Sequence, residues 1–392
     1  MRFPYFTSLW QKNKFGDLLI LLKNSTLSRS ELNYNNGKIK NIHYGDILIK
    51  FNDYILSDSK IIPYVNNGSI PNNYSKLLLK NGDIIIADTA EDNTVGKATE
   101  IIFNDKSLII SGLHTITCRP MKNTFASKYL GYYLNSPSFH NQLLPLIQGI
   151  KVSSISKSQI VDTQIAYPNI KEQQKIAEIL SLIDQRIETQ SKIIEDLEYQ
   201  IKWIRYKIFR NLNNVPNHRL SEFLSEYSEK NSNNAFTPVA VGKHGIRKRN
   251  EIYNKELSSD YSKNKVIRQN TLVIGMGSTQ IDIGVLSNKE TLCVSPAYTT
   301  YKINNINASY LNELLIFLNP LLSKKYMIIS ARQGKSVNKK ELLTYKIFVH
   351  SNEIQIKIEK LFNLLRFRIQ KEKDILELYK KQKAYLLKNM FI

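Results

Sequence analysis

IAEILSLIDQRIETQSKIIEDLEYQIKWIRYKI, residues Ile176 to Ile208, decides the fold. Its core-type positions are Ile176, Leu180, Ile183, Ile187, Gln190, Ile194, Leu197, Ile201, Ile204 and Ile208. Steps of four and three alternate without a break, and Gln190 is the one polar interruption. Spacing of this kind, held over so many turns, predicts a coiled-coil helix rather than an ordinary globular one. Adding 182 to each number gives Ile358, Phe362, Leu365, Ile369, Glu372, Leu376, Tyr379, Lys383, Leu386 and Met390. The seam recurs in the same phase, and its polar break recurs at Glu372. The chain therefore reads as a duplicated unit, each half ending in a long helix.

An a/d stripe does not stay bare in water, so each seam must be covered. Each spans roughly 50 Å at 1.5 Å per residue. Either the two seams bury one another, which makes the pair antiparallel and returns the C-terminal residues to the first globular segment, or each pairs with another protein chain. The expected fold class is α+β (mixed α/β): two similar globular modules, separated by two long helices that form an antiparallel coiled coil with a pseudo-two-fold internal repeat. The expected boundaries are 1–168 for the first module, 169–212 for the central helix, 213–350 for the second module and 351–392 for the C-terminal helix.

Within 1–168, Gly45-Asp46-Ile47-Leu48-Ile49 and Gly82-Asp83-Ile84-Ile85-Ile86-Ala87 read as turns followed by strands. Leu108-Ile109-Ile110 and Thr115-Ile116-Thr117 read as further strands, with helices over Ala126 to Leu134 and Ser138 to Ile147. Pro168 closes the module, because the residue before proline resists helix. The second module repeats the plan: a strand from Asn270 to Gly275, a polar loop to Asp282, a strand from Cys293 to Tyr301, and a helix from Ala308 to Leu318. Gln333-Gly334-Lys335-Ser336-Val337 echoes Gln148-Gly149-Ile150-Lys151-Val152, and Gln355 and Lys357 fall on Gln173 and Lys175.

Net charge is +21, more than solubility asks for, which points to a polyanionic partner and to nucleic acid before a membrane. The first helix, 169–212, carries only +1, against +9 over 213–350. Cys118 and Cys293 stand alone, in neither a disulfide framework nor a zinc spacing, and fit a reducing cytoplasm. No apolar signal core follows Met1-Arg2-Phe3-Pro4, so a cytoplasmic protein is expected.

Chemistry is hard to find. Gly334-Lys335-Ser336 resembles the end of a phosphate-binding loop, but Ile329 stands where that loop needs glycine. There is no Glu-x-Lys, and Asn319-Pro320-Leu321 lacks the second proline and the ring on which a flipped base would stack. The six histidines are scattered, so no metal is expected. No catalytic residue is assigned.

Basic and polar loops remain as candidates for DNA contact. Lys243, Arg247, Lys248 and Arg249 lie in the densest cationic stretch, suited to phosphate or groove contact or else a solvated loop. Arg332, Gln333 and Lys335 offer forked donors suited to guanine and adenine, or flank Gly334 as a helix cap. Gln148 and Lys151 match them in the first module. Ser278, Thr279 and Gln280, and Thr89, Asn93 and Lys97, sit on loops that follow strands. Glu195-Asp196 and Lys380-Lys381 read as solvated helix faces or as a docking surface.

Several motifs taken together resemble the specificity subunits of type I restriction–modification systems. Arg2-Phe3-Pro4…Phe6…Trp10…Lys14-Phe15-Gly16-Asp17 is similar to that family's opening, and Arg219-Leu220-Ser221-Glu222 to its second copy. Tyr167-Pro168…Glu172-Gln173-Gln174…Ile176…Leu180…Asp184 resembles the start of its first spacer helix, and Val294-Ser295-Pro296-Ala297-Tyr298 a strand of its target-recognition domains. The second helix departs from the pattern, with Val349-His350 and Ile354 in place of Tyr167-Pro168 and Glu172. The resemblance implies two target-recognition domains, each reading one half of an asymmetric bipartite site in double-stranded DNA, with the coiled coil setting the spacing and docking modification subunits. It implies no catalysis by this chain. S-adenosylmethionine would belong to modification (methyltransferase) subunits, and ATP and Mg2+ to restriction (translocase/nuclease) subunits. The competing reading is a coiled-coil scaffold that gathers protein partners, its nucleic-acid affinity incidental.

Overall fold

The computed structural model describes residues 2–121, 124–149, 152–210, 216–242, 245–252, 260–330 and 334–391. The chain divides into two compact units, 1–191 with 374–392, and 192–373. Two long helices contribute to both: Ile170–Arg210 and Asn352–Asn389.

The first unit is built on a five-stranded sheet of β1 (Leu19–Leu22), β2 (Tyr54–Leu56), β3 (Ile84–Ala87), β4 (Ala98–Ile102) and β5 (Thr115–Pro120), in the order β1-β5-β3-β4-β2. The second unit has β6 (Leu224–Tyr227), β7 (Thr271–Met276), β8 (Ile281–Leu286) and β9 (Thr299–Ile303), in the order β6-β9-β7-β8. The first four strands of one order match the four of the other, every one of these shared pairings is antiparallel, and β2, parallel to β4, is extra to the first unit. Each unit also has a second sheet with a parallel pair at corresponding places: Ile39–Ile42 with Leu108–Ser111, and Pro238–Gly242 with Leu292–Val294. The internal repeat is thus one of topology as well as of seam.

Against each main sheet packs a helix, α1 (Tyr129–Leu134) in the first unit and α3 (Ala308–Tyr326) in the second. The long helices are α2 (Ile170–Arg210) and α4 (Asn352–Asn389). All twenty seam positions, nineteen on α2 and α4 and Met390 just past the end of α4, are buried or half-buried, none exposed. In the first unit, Asp184 of α2 meets Lys383 of α4 at 2.6 Å, and the Arg186 guanidinium lies 6.0 Å from the Tyr379 ring centre. In the second, Glu198 meets Lys373 at 2.8 Å, and Arg205 lies 5.6 Å from the Phe362 ring centre. Numbers rise along one helix as they fall along the other, so in each unit the two helices run antiparallel. Pairing with a second chain is not needed to cover the seams. The C-terminal residues end in the first unit's core, where Phe391 is buried against Tyr129 and Tyr133, with ring centres 5.7 and 5.5 Å away.

One pair of contacts shows how literally the repeat is kept. Gln173 accepts a bond from the Ala126 amide (2.9 Å) and donates to the Pro168 carbonyl (2.9 Å). Gln355, 182 residues on, accepts from the Asn307 amide (2.9 Å) and donates to the His350 carbonyl (2.8 Å). Each glutamine is buried, so both ends of its amide must be satisfied, and each thereby pins a long helix to its own module.

Four local expectations are corrected. Gly45 to Ile49 is helix, part of Tyr44–Ile49: the His43 ring nitrogen accepts from the Gly45 amide, and buried Asp46 sits in the first turn. Cys293 to Tyr301 is two strands in different sheets, split by a turn at Ser295–Tyr298, where Pro296 has no amide hydrogen for a ladder. The helix from Ala308 passes Leu318 and Pro320 and ends at Tyr326. Its far half is anchored to β8, as Asn319 donates to the Ile281 carbonyl and Ser323 accepts from the Ile281 amide. Those contacts offset the bond proline removes. Gly334 caps no helix; it opens the strand Gly334–Val337, which pairs with Met327–Ser330.

Candidate nucleic-acid interface

In the first unit the end of β3 and the start of β5 are neighbours, Ala87 opposite Thr115, so the loops leaving them share one edge of the sheet. Thr89 pairs across strands with Ser154, and Gln148 bridges Ser154 on its other side through bonds of 3.0 and 2.8 Å. Thr89 and Gln148 are therefore brought onto one small patch. The turn beyond Gln148 demands glycine: Gly149 has φ +105°, and a Cβ there would lie 2.0 Å from the Val152 carbonyl oxygen. Asn93 is exposed. Lys97 is turned inwards, donating to the Leu48 carbonyl at 3.1 Å, and burial lowers its pKa. It braces its loop. Asn93 and Lys97 line a cleft of about 400 Å³ with Asp53, Asn135, His140 and Lys383. Burial opposes the Lys383 charge, but Asp53 and Asp184, each 2.6 Å away, outweigh it and leave the pKa raised.

The second unit has the equivalent edge. Ser278 and Thr279 are exposed on the tight turn between β7 and β8, with Gln280 half-buried. Lys335 donates to the Ser278 carbonyl at 2.6 Å, which brings two candidates 57 residues apart into contact. Two lysines not singled out from the sequence brace the neighbouring loop: Lys265 donates to the Tyr298 carbonyl at 2.7 Å, and Lys339 to the Thr299 hydroxyl. Burial lowers the Lys339 pKa. The stretch containing Arg247, Lys248 and Arg249 is not a free loop. Gly245–Lys248 is a strand paired with Pro238–Gly242, and its Ile246 packs over Gly284 of β8. The Tyr298 hydroxyl, 3.1 Å from Asp282 and 3.4 Å from the Val241 carbonyl, ties this hairpin to the edge. Arg247 is exposed, Lys248 pairs with Glu290 at 2.7 Å, and the Arg249 Nε is buried without a hydrogen-bond partner among the described residues. Lys151, Lys243, Arg332 and Gln333 lie outside the described residues.

Among the described residues no three His, Cys, Asp or Glu side chains gather into a metal-binding group. No helix among them is long and apolar enough to cross a membrane.

The two sheet edges, one in each unit, are built alike and carry different side chains. Residues 7–199 match the family model described as the type I restriction modification DNA specificity domain. The match covers just under half of the chain, and it is those residues that are similar to that domain. A protein of Methanocaldococcus jannaschii named as the MjaX type I restriction enzyme specificity subunit is 27% identical over 206 residues, 51% of this chain and 45% of the relative. The chain thus matches less than half the length of that curated relative. In fold, the chain is similar over its whole length to the type I restriction–modification S subunit from M. genitalium (TM-score 0.54, 16% identical, covering 100% of this chain and 99% of that one). It is also similar to a chain from a structure concerned with complex assembly and conformational transition of the type I R-M system (TM-score 0.60, 14% identical, 98% of each). The second module and second helix, beyond the matched residues, share the specificity-subunit fold.

Five exposed apolar side chains on the long helices were not singled out from the sequence. Tyr199, Trp203 and Tyr206 of α2 are exposed by 69%, 52% and 45%, and Leu364 and Phe367 of α4 by 68% and 61%. All five lie in the second unit, off the seam. Their four- and three-residue spacing was legible, but the stronger a/d signal beside it drew the attention.

Proposed function

We propose that this chain is the DNA sequence-recognition subunit of a type I restriction–modification complex, with each module reading one half of an asymmetric bipartite site. One observation carries the proposal: the same sheet edge, fed by loops in the same topological places, occurs in both units with different side chains. Thr89 and Gln148 stand at one edge, Ser278 and Lys335 at the other. Duplication keeps the platform and divergence changes what it reads. Arg247, exposed on the hairpin beside the second edge, provides a sequence-independent hold on phosphate, and the polar loops the readout of bases. The paired helices α2 and α4 set the unread gap. Methyl transfer and cleavage belong to partner subunits, and this chain has no catalysis of its own. The exposed stripe of Tyr199, Trp203 and Tyr206 suits a modification subunit, since aromatic side chains dominate protein interfaces.

Exchange of residues 213–350 for another such module tests the reading. One half of the target should change and the other should persist. Change in both halves overturns the two-reader account, and a specific-to-random binding ratio near one at every salt concentration favours a scaffold.

A further inference from the structure

We propose that His114 is a specificity-determining residue of the first module, its imidazole reading an exocyclic amino group on a base of the DNA half-site. The inference rests on the DNA-recognition reading above and names one of its contacts. His114 ends the short loop between strand Leu108–Ser111 and β5, on the same edge as Thr89 and Gln148. Its carbonyl accepts a bond from the Asp88 amide at 3.2 Å, which joins the two edge loops. The residue holds φ at +55°, a left-handed conformation that costs a non-glycine side chain energy. Glycine or asparagine would satisfy the turn more easily. The ring repays that cost with no core packing, because the side chain is 47% exposed.

The exposed ring is nevertheless held in place. Nδ1 lies 3.5 Å from the Asp88 carboxylate and 3.4 Å from the Thr89 hydroxyl, and the Tyr44 ring meets it edge-on at 5.3 Å. Thr89 itself donates to Asp88 at 2.8 Å. A carboxylate beside Nδ1 favours the tautomer with the proton there, and the lone pair on Nε2 is then an acceptor. In the major groove the donors that meet an acceptor are adenine N6 and cytosine N4. A half-exposed imidazole, oriented from one side and strained in its backbone, is built as a reader.

The test is a binding selection from a randomised duplex pool, with the full chain and with His114→Ala, His114→Asn and His114→Gly. The Asn and Gly variants keep the left-handed turn, and an unchanged thermal midpoint shows the fold intact. The wild-type chain should enrich a two-part motif. The variants should enrich the same motif with discrimination lowered about 10-fold or more at one adenine or cytosine in one half only. In a duplex carrying purine for that adenine, or 2-pyrimidinone for that cytosine, the wild-type chain should lose affinity and the variants should not. An unchanged motif in the variants, or equal losses on the amino-free duplex, overturns the role of His114 while leaving DNA recognition standing. A wild-type chain that enriches no motif overturns the DNA reading and this inference with it.

Discussion

Glu313 on α3 is fully buried and is held by Arg205 of α2, at 2.9 Å from Nε and 2.8 Å from Nη2, and by Arg366 of α4. One carboxylate thus ties the second module's helix to both long helices. Replacing it by alanine strands the Arg205 guanidinium, whose side chain is only 14% exposed, with no counter-charge. Removing one partner of such a buried group costs about 3–5 kcal/mol. With a urea dependence of about 2 kcal/mol per molar, the unfolding midpoint of the second unit should fall by about 2 M. The chain has two tryptophans, Trp10 and Trp203, so Trp10→Phe leaves Trp203 as a reporter in that unit. The triple variant Glu313→Leu, Arg205→Met and Arg366→Leu should sit within roughly 1 kcal/mol of the wild type, since an apolar replacement removes the desolvation penalty along with the attraction. A single-variant shift under 0.5 M, or a triple variant as damaged as the single one, would refute the argument that this carboxylate joins the three helices.

Further outcomes follow from the same geometry. Burial pushes Glu100 up to about 7, against the bonds it accepts from the Lys128 and Gly131 amides. Its folded form therefore binds a proton more readily than the unfolded chain, and stability should fall by about 3 kcal/mol as pH rises from 4.5 to 7 and then level off. Glu100→Gln should flatten that slope in pH-dependent urea melts, and an unchanged slope would assign it to other groups. Phe391→Ala should cost the first unit about 3–5 kcal/mol, read with Trp10 as reporter, because the ring fills a buried site beside Tyr129 and Tyr133. Arg247→Ala should weaken DNA binding about equally across sequences and lower the salt slope by about one, whereas a change in preferred sequence would make Arg247 a base reader. Deletion of one heptad, Ile187 to Ile193, should alter the unread gap; a gap left unchanged would mean the helices do not set it.

The seam was legible because periodicity is a local property of sequence, and burial follows it at every one of the twenty positions. The repeat was legible for the same reason, down to Gln173 and Gln355, whose matched contacts needed only the offset of 182. What stayed hidden depends on partners far away in sequence. Lys97 reads as a polar-loop cation, yet it points at Leu48, 49 residues earlier. The role of Lys265 and Lys339 exists only once Tyr298 and Thr299 are folded beside them. Gly45-Asp46 has the composition of a turn before a strand. Only Arg29 and Lys50, which pair with the buried Asp46 at 2.8 and 3.0 Å, show why a helix wins there.

The central claim is that one chain carries two unlike readers of a duplex. Selection of bound sequences from a random duplex pool by the full chain tests it most directly. The account predicts two short, dissimilar blocks separated by an unread gap of constant length. A single contiguous block, or two identical ones, contradicts it.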